Sequence, residues 1–162
     1  MQSIFAAAFI FLVISAALSD YKSLRIPNWV SVALLGLFAV HAPTLGTLPE
    51  VFSHVAAGAI VLAGAAFMYA HGWLGGGDVK LLGALATWAG FDQVLEFTAL
   101  TGLIGALLGA ALIGLQRITF YYPAISWPAI FERPLGWAKQ GVCPYGLAIS
   151  AAALICLPKV FL

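Results

Sequence analysis

Residues 2–20 read QSIFAAAFIFLVISAALSD, an apolar run from Gln2 to Ser19 that stops on a carboxylate, Asp20. A helix needs about 20 predominantly apolar residues to cross the hydrocarbon core of a bilayer, and this run is long enough. It has a hydrophobic stretch, Ile4 to Leu18, of the kind found in secretory signal peptides, but no Lys or Arg precedes it. The expected element is a retained membrane helix with Asp20 at its end. The rest of the chain has the same character. Of 162 residues, 63% are hydrophobic and 8% charged, where a soluble domain carries about 25% charge. Seven Lys and Arg with six Asp and Glu cannot cover a water-facing exterior, so the apolar excess must face lipid. The expected fold is an all-α integral membrane protein forming one domain over residues 1–162. A net charge of +1 with no basic cluster argues against nucleic acid as a partner, since that affinity comes from grouped Lys and Arg. Membrane lipid is the expected surrounding.

Charged and turn-forming residues divide the chain into six expected spans: Gln2 to Ser19, Pro27 to Ala42, Val51 to Ala70, Asp78 to Phe91, Leu95 to Leu115 and Tyr145 to Phe161. The second and fourth are short, so tilt or local thinning must complete the crossing. The basic residues segregate. Lys22 and Arg25 fall in the first connection, Lys80 at the third, and Arg117, Arg133 and Lys139 in the fifth, while the second and fourth connections carry Glu50, Asp92 and Glu96. Cytoplasmic connections are enriched in Lys and Arg. Six crossings with both termini outside the cytoplasm fit this pattern, with Lys159 the one basic residue on the opposite side.

That orientation puts Asp20, closing the first span, and Asp78, opening the fourth, on the same cytoplasmic face. Ionisable groups at a membrane boundary are costly unless paired or hydrated, which makes them functional candidates. Asp78 follows Gly75, Gly76 and Gly77, a GxGD sequence. Glycine removes side-chain bulk and widens the accessible backbone conformations, so a peptide and a water can approach the neighbouring carboxylate. A helix beginning at Asp78 favours its ionised form, whereas Asp20 at a helix C-terminus meets the opposite bias. Two close carboxylates sharing one proton can perform both halves of peptide hydrolysis, one activating water and the other polarising the scissile carbonyl. No metal or cofactor is required. A proton- or ion-transporting role for the aspartates is the alternative, and it predicts a midplane site and a pseudo-repeat between halves.

The remaining candidates have simpler readings. Lys80 lies two positions beyond Asp78 on another helical face and serves as an orientation anchor or as a contact for an acidic group or lipid headgroup. Pro27 suits the first turn of a helix, and Asn28 is placed to orient Asp20. Gly58 and Gly64, then Gly102, Gly105, Gly109 and Gly114, suggest close helix packing, with Gly105 and Gly109 forming a GxxxG step. Between Arg117 and Pro144, Pro123, Pro128, Pro134 and Pro144 break any long helix, and Tyr121, Tyr122, Trp127 and Trp137 read as interfacial aromatics. His41, His54 and His71 make no ligand motif. Cys143 and Cys156 are too far apart for a zinc pair, and Ser15 and Ser19 have no accompanying base.

Three stretches together resemble the prepilin peptidase family: residues 20–28 (DYKSLRIPN), residues 75–82 (GGGDVKLL) and residues 144–149 (PYGLAI). The chain is similar to its short CpaA/TadV-type members, associated with Flp, or tight-adherence, pili. GxGD by itself also occurs in presenilin-like intramembrane proteases; combined with D-x5-I-P-N it is more specific. The resemblance implies an aspartic endopeptidase of the inner membrane that removes the basic leader from prepilins or pseudopilins at the cytoplasmic face, near the pilus assembly machinery. It implies Asp20 and Asp78 as the catalytic pair and Gly75 and Gly77 as the GxGD backbone, with Lys80 and Asn28 in support. Larger family members carry a cytoplasmic insertion with paired cysteines, linked to zinc and N-methylation. That insertion is absent from this pattern, so peptidase activity alone is expected.

Overall fold

The computed structural model describes residues 2–122 and 127–157, which form helices, short 3-10 turns and loops. In chain order the α-helices are α1 (Gln2–Ser23), α2 (Asn28–His41), α3 (Leu48–Ala70), α4 (Gly76–Tyr121), α5 (Glu132–Gln140) and α6 (Tyr145–Cys156). Among the described residues, four segments are long and apolar enough to cross a membrane: Gln2–Ser23, Asn28–Leu45, Leu48–Ala70 and Gly76–Tyr121. Large apolar side chains such as Leu48, Phe52 and Leu95 project from the outside of the bundle, as a lipid-facing exterior requires.

Each expected span has a helical counterpart, with boundaries that differ for local reasons. The first helix runs one turn beyond Asp20. The second starts at Asn28, leaving Pro27 as its N-cap and not in the first turn. The third starts at Leu48, because Thr47 and Glu50 form a reciprocal capping box; Glu50 therefore belongs to a helix start and not to a free loop. The sixth is described only as Tyr145–Cys156, and Lys159 and the end of the expected span lie outside the described residues.

The fourth and fifth expected spans are two arms of α4, with no loop between them. Gly90 has φ 60° and ψ −179°, a conformation essentially restricted to glycine. In a straight helix Leu82 and Thr101 would stand roughly 28 Å apart at 1.5 Å per residue. Here they line one cavity together with Tyr145, so residues 91–121 fold back past residues 76–89. The bend interrupts the hydrogen-bond ladder, and His54 on α3 meets one of the released carbonyls, with Nδ1 2.9 Å from the Thr87 oxygen. Replacing Gly90 with Ala is expected to destabilise the fold by about 1–3 kcal/mol, because a Cβ there would also approach the His54 ring to 2.8 Å. Denaturant unfolding of both proteins in the same detergent checks this.

The core at the bend is built around Trp88. Its indole N–H donates to the Leu34 carbonyl at 3.0 Å, and Phe9, Phe38 and His41 pack on its ring. His41 and His54 thus serve the aromatic core and the bend. A second, smaller cluster lies at the opposite end, where Trp137 and Ala138 of α5 pack with Leu112 of α4. Trp137 is buried and meets Tyr21 edge-on, which corrects its reading as an interfacial aromatic; Tyr121 and Tyr122 are exposed. The connection in which the prolines exclude a long helix contains the nine-residue α5, which Arg133 fastens to α1. Its guanidinium donates to the Tyr21 and Lys22 carbonyls and lies over the Tyr21 ring, satisfying orphan carbonyls at a helix C-terminus. The glycines divide similarly. A Cβ on Gly58 would collide with Thr87 and one on Gly105 with Tyr145, whereas Gly64, Gly102, Gly109 and Gly114 border open space. The GxxxG step is therefore no packing unit as a whole.

Candidate active site

Asp20 lies in the last turn of α1 and is 4% exposed. Its Oδ2 accepts the Leu147 N–H at 3.2 Å, and the Gly146 N–H is a second backbone donor. Both amides belong to the first turn of α6, which follows Pro144. The carboxylate at the C-terminal end of one helix therefore sits on the N-terminus of another, where free N–H groups and the helix dipole favour negative charge. This revises the expectation that Asp20 meets only an unfavourable dipole.

Asp78 occupies the first turn of α4, not its first residue. The helix starts at Gly76, and the Asp78 carboxylate turns back to accept the Gly75 N–H at 3.3 Å. Both aspartates are thus bound through backbone amides at helix N-termini. They lie within electrostatic reach of each other.

The segment joining α1 to α2 packs beside the two aspartates, against the glycines next to each. Leu24 adopts φ +53°, a left-handed conformation that non-glycine residues rarely take. It is held by its own N–H to the Asp20 carbonyl at 2.9 Å and by the Ser19 hydroxyl donating to the Arg25 carbonyl at 2.7 Å. The turn delivers Ile26 into the gap between two glycines. A Cβ on Gly77 would approach Ile26 Cβ to 3.1 Å, and one on Gly146 would come within 2.7 Å of Ile26 Cδ1 and 2.8 Å of Asp20 Oδ2. Ile26 thereby ties the GxGD segment to the start of α6. Gly75 faces Asp78 itself, with its Cβ position 2.8 Å from Oδ2.

The structure thus gathers Asp20, Asp78, Gly75 and Gly77 and sets Lys80 and Asn28 apart. Lys80 Nζ donates to Asn28 Oδ1 at 2.8 Å, so Asn28 orients Lys80 and not Asp20. The two line a cavity of about 540 Å3 between α2, α3 and the first arm of α4. Ile26 and Gly146 lie inside the stretches 20–28 and 144–149, but nothing in the sequence gives either a separate role. The signal available was Pro144 ahead of an apolar run, which marks a helix start, but nothing local indicates which side chain that start receives.

Cys143, just before α6, is exposed at the surface. Partial burial of the thiol, then the negative charges of Asp20 and Asp78, push its pKa above the ordinary value. Above the pH at which the pair loses its shared proton, both carboxylates are charged, and removing either charge lowers that pKa and enlarges the reactive thiolate fraction. Maleimide labelling of Cys143 at pH 7.5 is therefore expected to be several-fold faster in Asp20→Asn and Asp78→Asn than in the unaltered chain, with Cys156 buried in both. Unchanged rates would show that the carboxylates do not face this thiol.

Residues 7–110, which include Asp20, Ile26 and Asp78, match the Type IV leader peptidase family. The prepilin leader peptidase/N-methyltransferase of Bacillus subtilis (strain 168) is 33% identical over 128 residues, covering 77% of this chain and 51% of that protein. The chain thus spans about half the length of this curated relative. No solved structure matches it significantly. With a family match over more than half its length and a bundle of apolar helices long enough to cross a bilayer, the chain is a multi-pass membrane protein that belongs to the type IV leader peptidase family.

Proposed function

We propose that the chain is an aspartic endopeptidase that removes the basic leader from type IV-like prepilins, with Asp20 and Asp78 as the catalytic pair. The observation that carries this reading is the convergence of the two carboxylates, each on a helix N-terminus, with Ile26 packed against the glycine beside each. Like charges at close range favour a state in which the pair holds one proton. The ionised member takes a proton from water as its oxygen attacks the scissile carbonyl. The protonated member hydrogen-bonds to the carbonyl oxygen, and a proton then passes to the departing amine as the C–N bond breaks. Gly75 and Gly77 keep the approach to Asp78 free of side chains. The family membership supports prepilins as substrates. The short-member resemblance narrows them to Flp-type pilins.

The segregation of Lys and Arg supports cleavage at the cytoplasmic face of the inner membrane, with six crossings, both termini outside the cytoplasm and one domain over the whole chain. The proposal covers the peptidase reaction and not N-methylation. The placement of both aspartates at one end of the bundle favours it over an ion-transport role, which calls for a midplane site.

The direct test is to incubate the purified chain, reconstituted in lipid, with an Flp-type prepilin and to identify the products by mass spectrometry. A single cut that releases the basic leader is expected, with a bell-shaped dependence of kcat/KM on pH as the pair loses its shared proton on one side and gains a second on the other. Absence of cleavage by the folded chain would overturn the proposal.

A further inference from the structure

A groove of about 260 Å3 lies between α3 and the two arms of α4. Its α3 wall is Val61, Gly64, Ala65 and Met68, a stripe on one helical face, and Thr98 and Thr101 form the facing wall. Leu74 and Tyr145 close the end nearest the candidate active site. Leu74 immediately precedes the GxGD segment, and Tyr145 immediately precedes Gly146, whose N–H faces the Asp20 carboxylate. The groove is therefore continuous with the catalytic end. Two features separate it from an ordinary packing gap. Gly64 borders open space, so the groove has width where a side chain would fill it. Thr101 is 3% exposed, and its hydroxyl has no hydrogen-bond partner. A mid-helix threonine normally returns its hydroxyl to the preceding turn, as Thr87 and Thr98 do.

We propose that this groove receives the apolar segment of the substrate that follows the scissile bond. The inference rests on the peptidase reading above and adds where the membrane-embedded part of the substrate lies. A bond cut between a basic leader and a membrane segment has water on one side and lipid on the other, so the retained part must leave the carboxylates along a path at apolar depth. This groove begins at Tyr145 and Leu74 and provides one. Bringing a peptide bond to two aspartates also requires a locally extended backbone, and unwinding a helix end in an apolar layer frees carbonyls that have no water to bond. The Thr101 hydroxyl is a donor placed to satisfy one of them. The small residues Gly64 and Ala65 allow the entering backbone to approach closely.

Met68 allows a test with little steric change, because the chain has two methionines, Met1 and Met68. Full-length chain made with a diazirine analogue of methionine, reconstituted in phosphatidylglycerol-containing vesicles with a prepilin, is expected on illumination to cross-link to the prepilin's apolar segment. Met68→Leu should reduce that cross-link at least fivefold, and Gly64→Leu should do the same by filling the groove. Cross-links to lipid alone, or undiminished cross-linking in Met68→Leu, would overturn the groove assignment whether or not the chain cleaves. A cleavage comparison separates the two readings. Gly64→Leu and Thr101→Val should lose at least fivefold more kcat/KM on full-length prepilin than on a short soluble peptide covering the leader and scissile bond. Equal losses on both substrates would overturn the groove. Failure of the unaltered chain to cleave either substrate, with the Met68 cross-link present, would overturn the peptidase reading and leave the docking assignment standing.

Discussion

Asp20→Asn and Asp78→Asn are each expected to reduce leader removal by at least about 10³-fold. Asparagine keeps the shape of aspartate and can still accept a backbone N–H, so the anchors at Leu147 and Gly75 have a route to survive the substitution. What is lost is the ability to exchange a proton. A dyad with one neutral amide can neither activate water and protonate the carbonyl in one site nor reset itself after a turnover. The two losses should therefore be of similar size, and the double variant should be little worse than either single one, because groups that act as a unit are strongly non-additive. Leader removal from a prepilin in vesicles gives the rate, and an unfolding curve for each variant shows whether the fold is retained. Substantial cleavage by either folded variant would end the dyad assignment.

Gly146→Ala is expected to have the next largest effect, a loss of about 100-fold in kcat/KM, although position 146 bears no functional group. Its Cβ position is 2.8 Å from Asp20 Oδ2, 2.9 Å from Asp20 Cγ and 2.7 Å from Ile26 Cδ1. All three are closer than real Cβ contacts come, so either the carboxylate leaves the α6 N-terminus or α6 shifts away from α1. Movement of the carboxylate breaks the Leu147 hydrogen bond and changes its position relative to Asp78. A displacement of about 1 Å at a reacting group is enough for the stated loss. The Cys143 labelling rate offers a readout independent of activity, since a displaced Asp20 carboxylate changes the charge facing that thiol. Gly109→Ala is the matched control, because a Cβ there meets open space. Cleavage by Gly146→Ala within twofold of the unaltered chain would show that α6 does not position Asp20.

Much of the helical framework is legible along the chain. Apolar runs of sufficient length, interrupted by Pro, Gly and charge, mark where helices lie, because run length and hydropathy are properties of consecutive residues. Thr47 and Glu50 announce the start of α3 in the same local way. The Gly90 bend is less legible. A lone glycine inside an apolar run has many explanations, and the expected loop with Asp92 and Glu96 placed the reversal slightly too late. Trp137 was misplaced for a related reason. An aromatic near basic residues and prolines resembles an interface anchor until α5 is seen folded against α1 and α4.

The two aspartates show where each source of information ends. From sequence alone come a membrane-embedded helical chain, a GxGD segment at Asp78, and a second carboxylate, Asp20, whose end of the bundle is inferred from the distribution of Lys and Arg. Only the tertiary structure decides that Asp20 rests on the α6 N-terminus, that Ile26 fills the space between Gly77 and Gly146, and that Lys80 pairs with Asn28. The physical reason lies in the solvent. In water the apolar stripe of a helix identifies its buried face, but lipid accepts Leu, Ile and Phe as readily as the protein interior does. The inward faces of these helices carry no distinct pattern, so the partners of a carboxylate more than a hundred residues from α6 emerge only from packing.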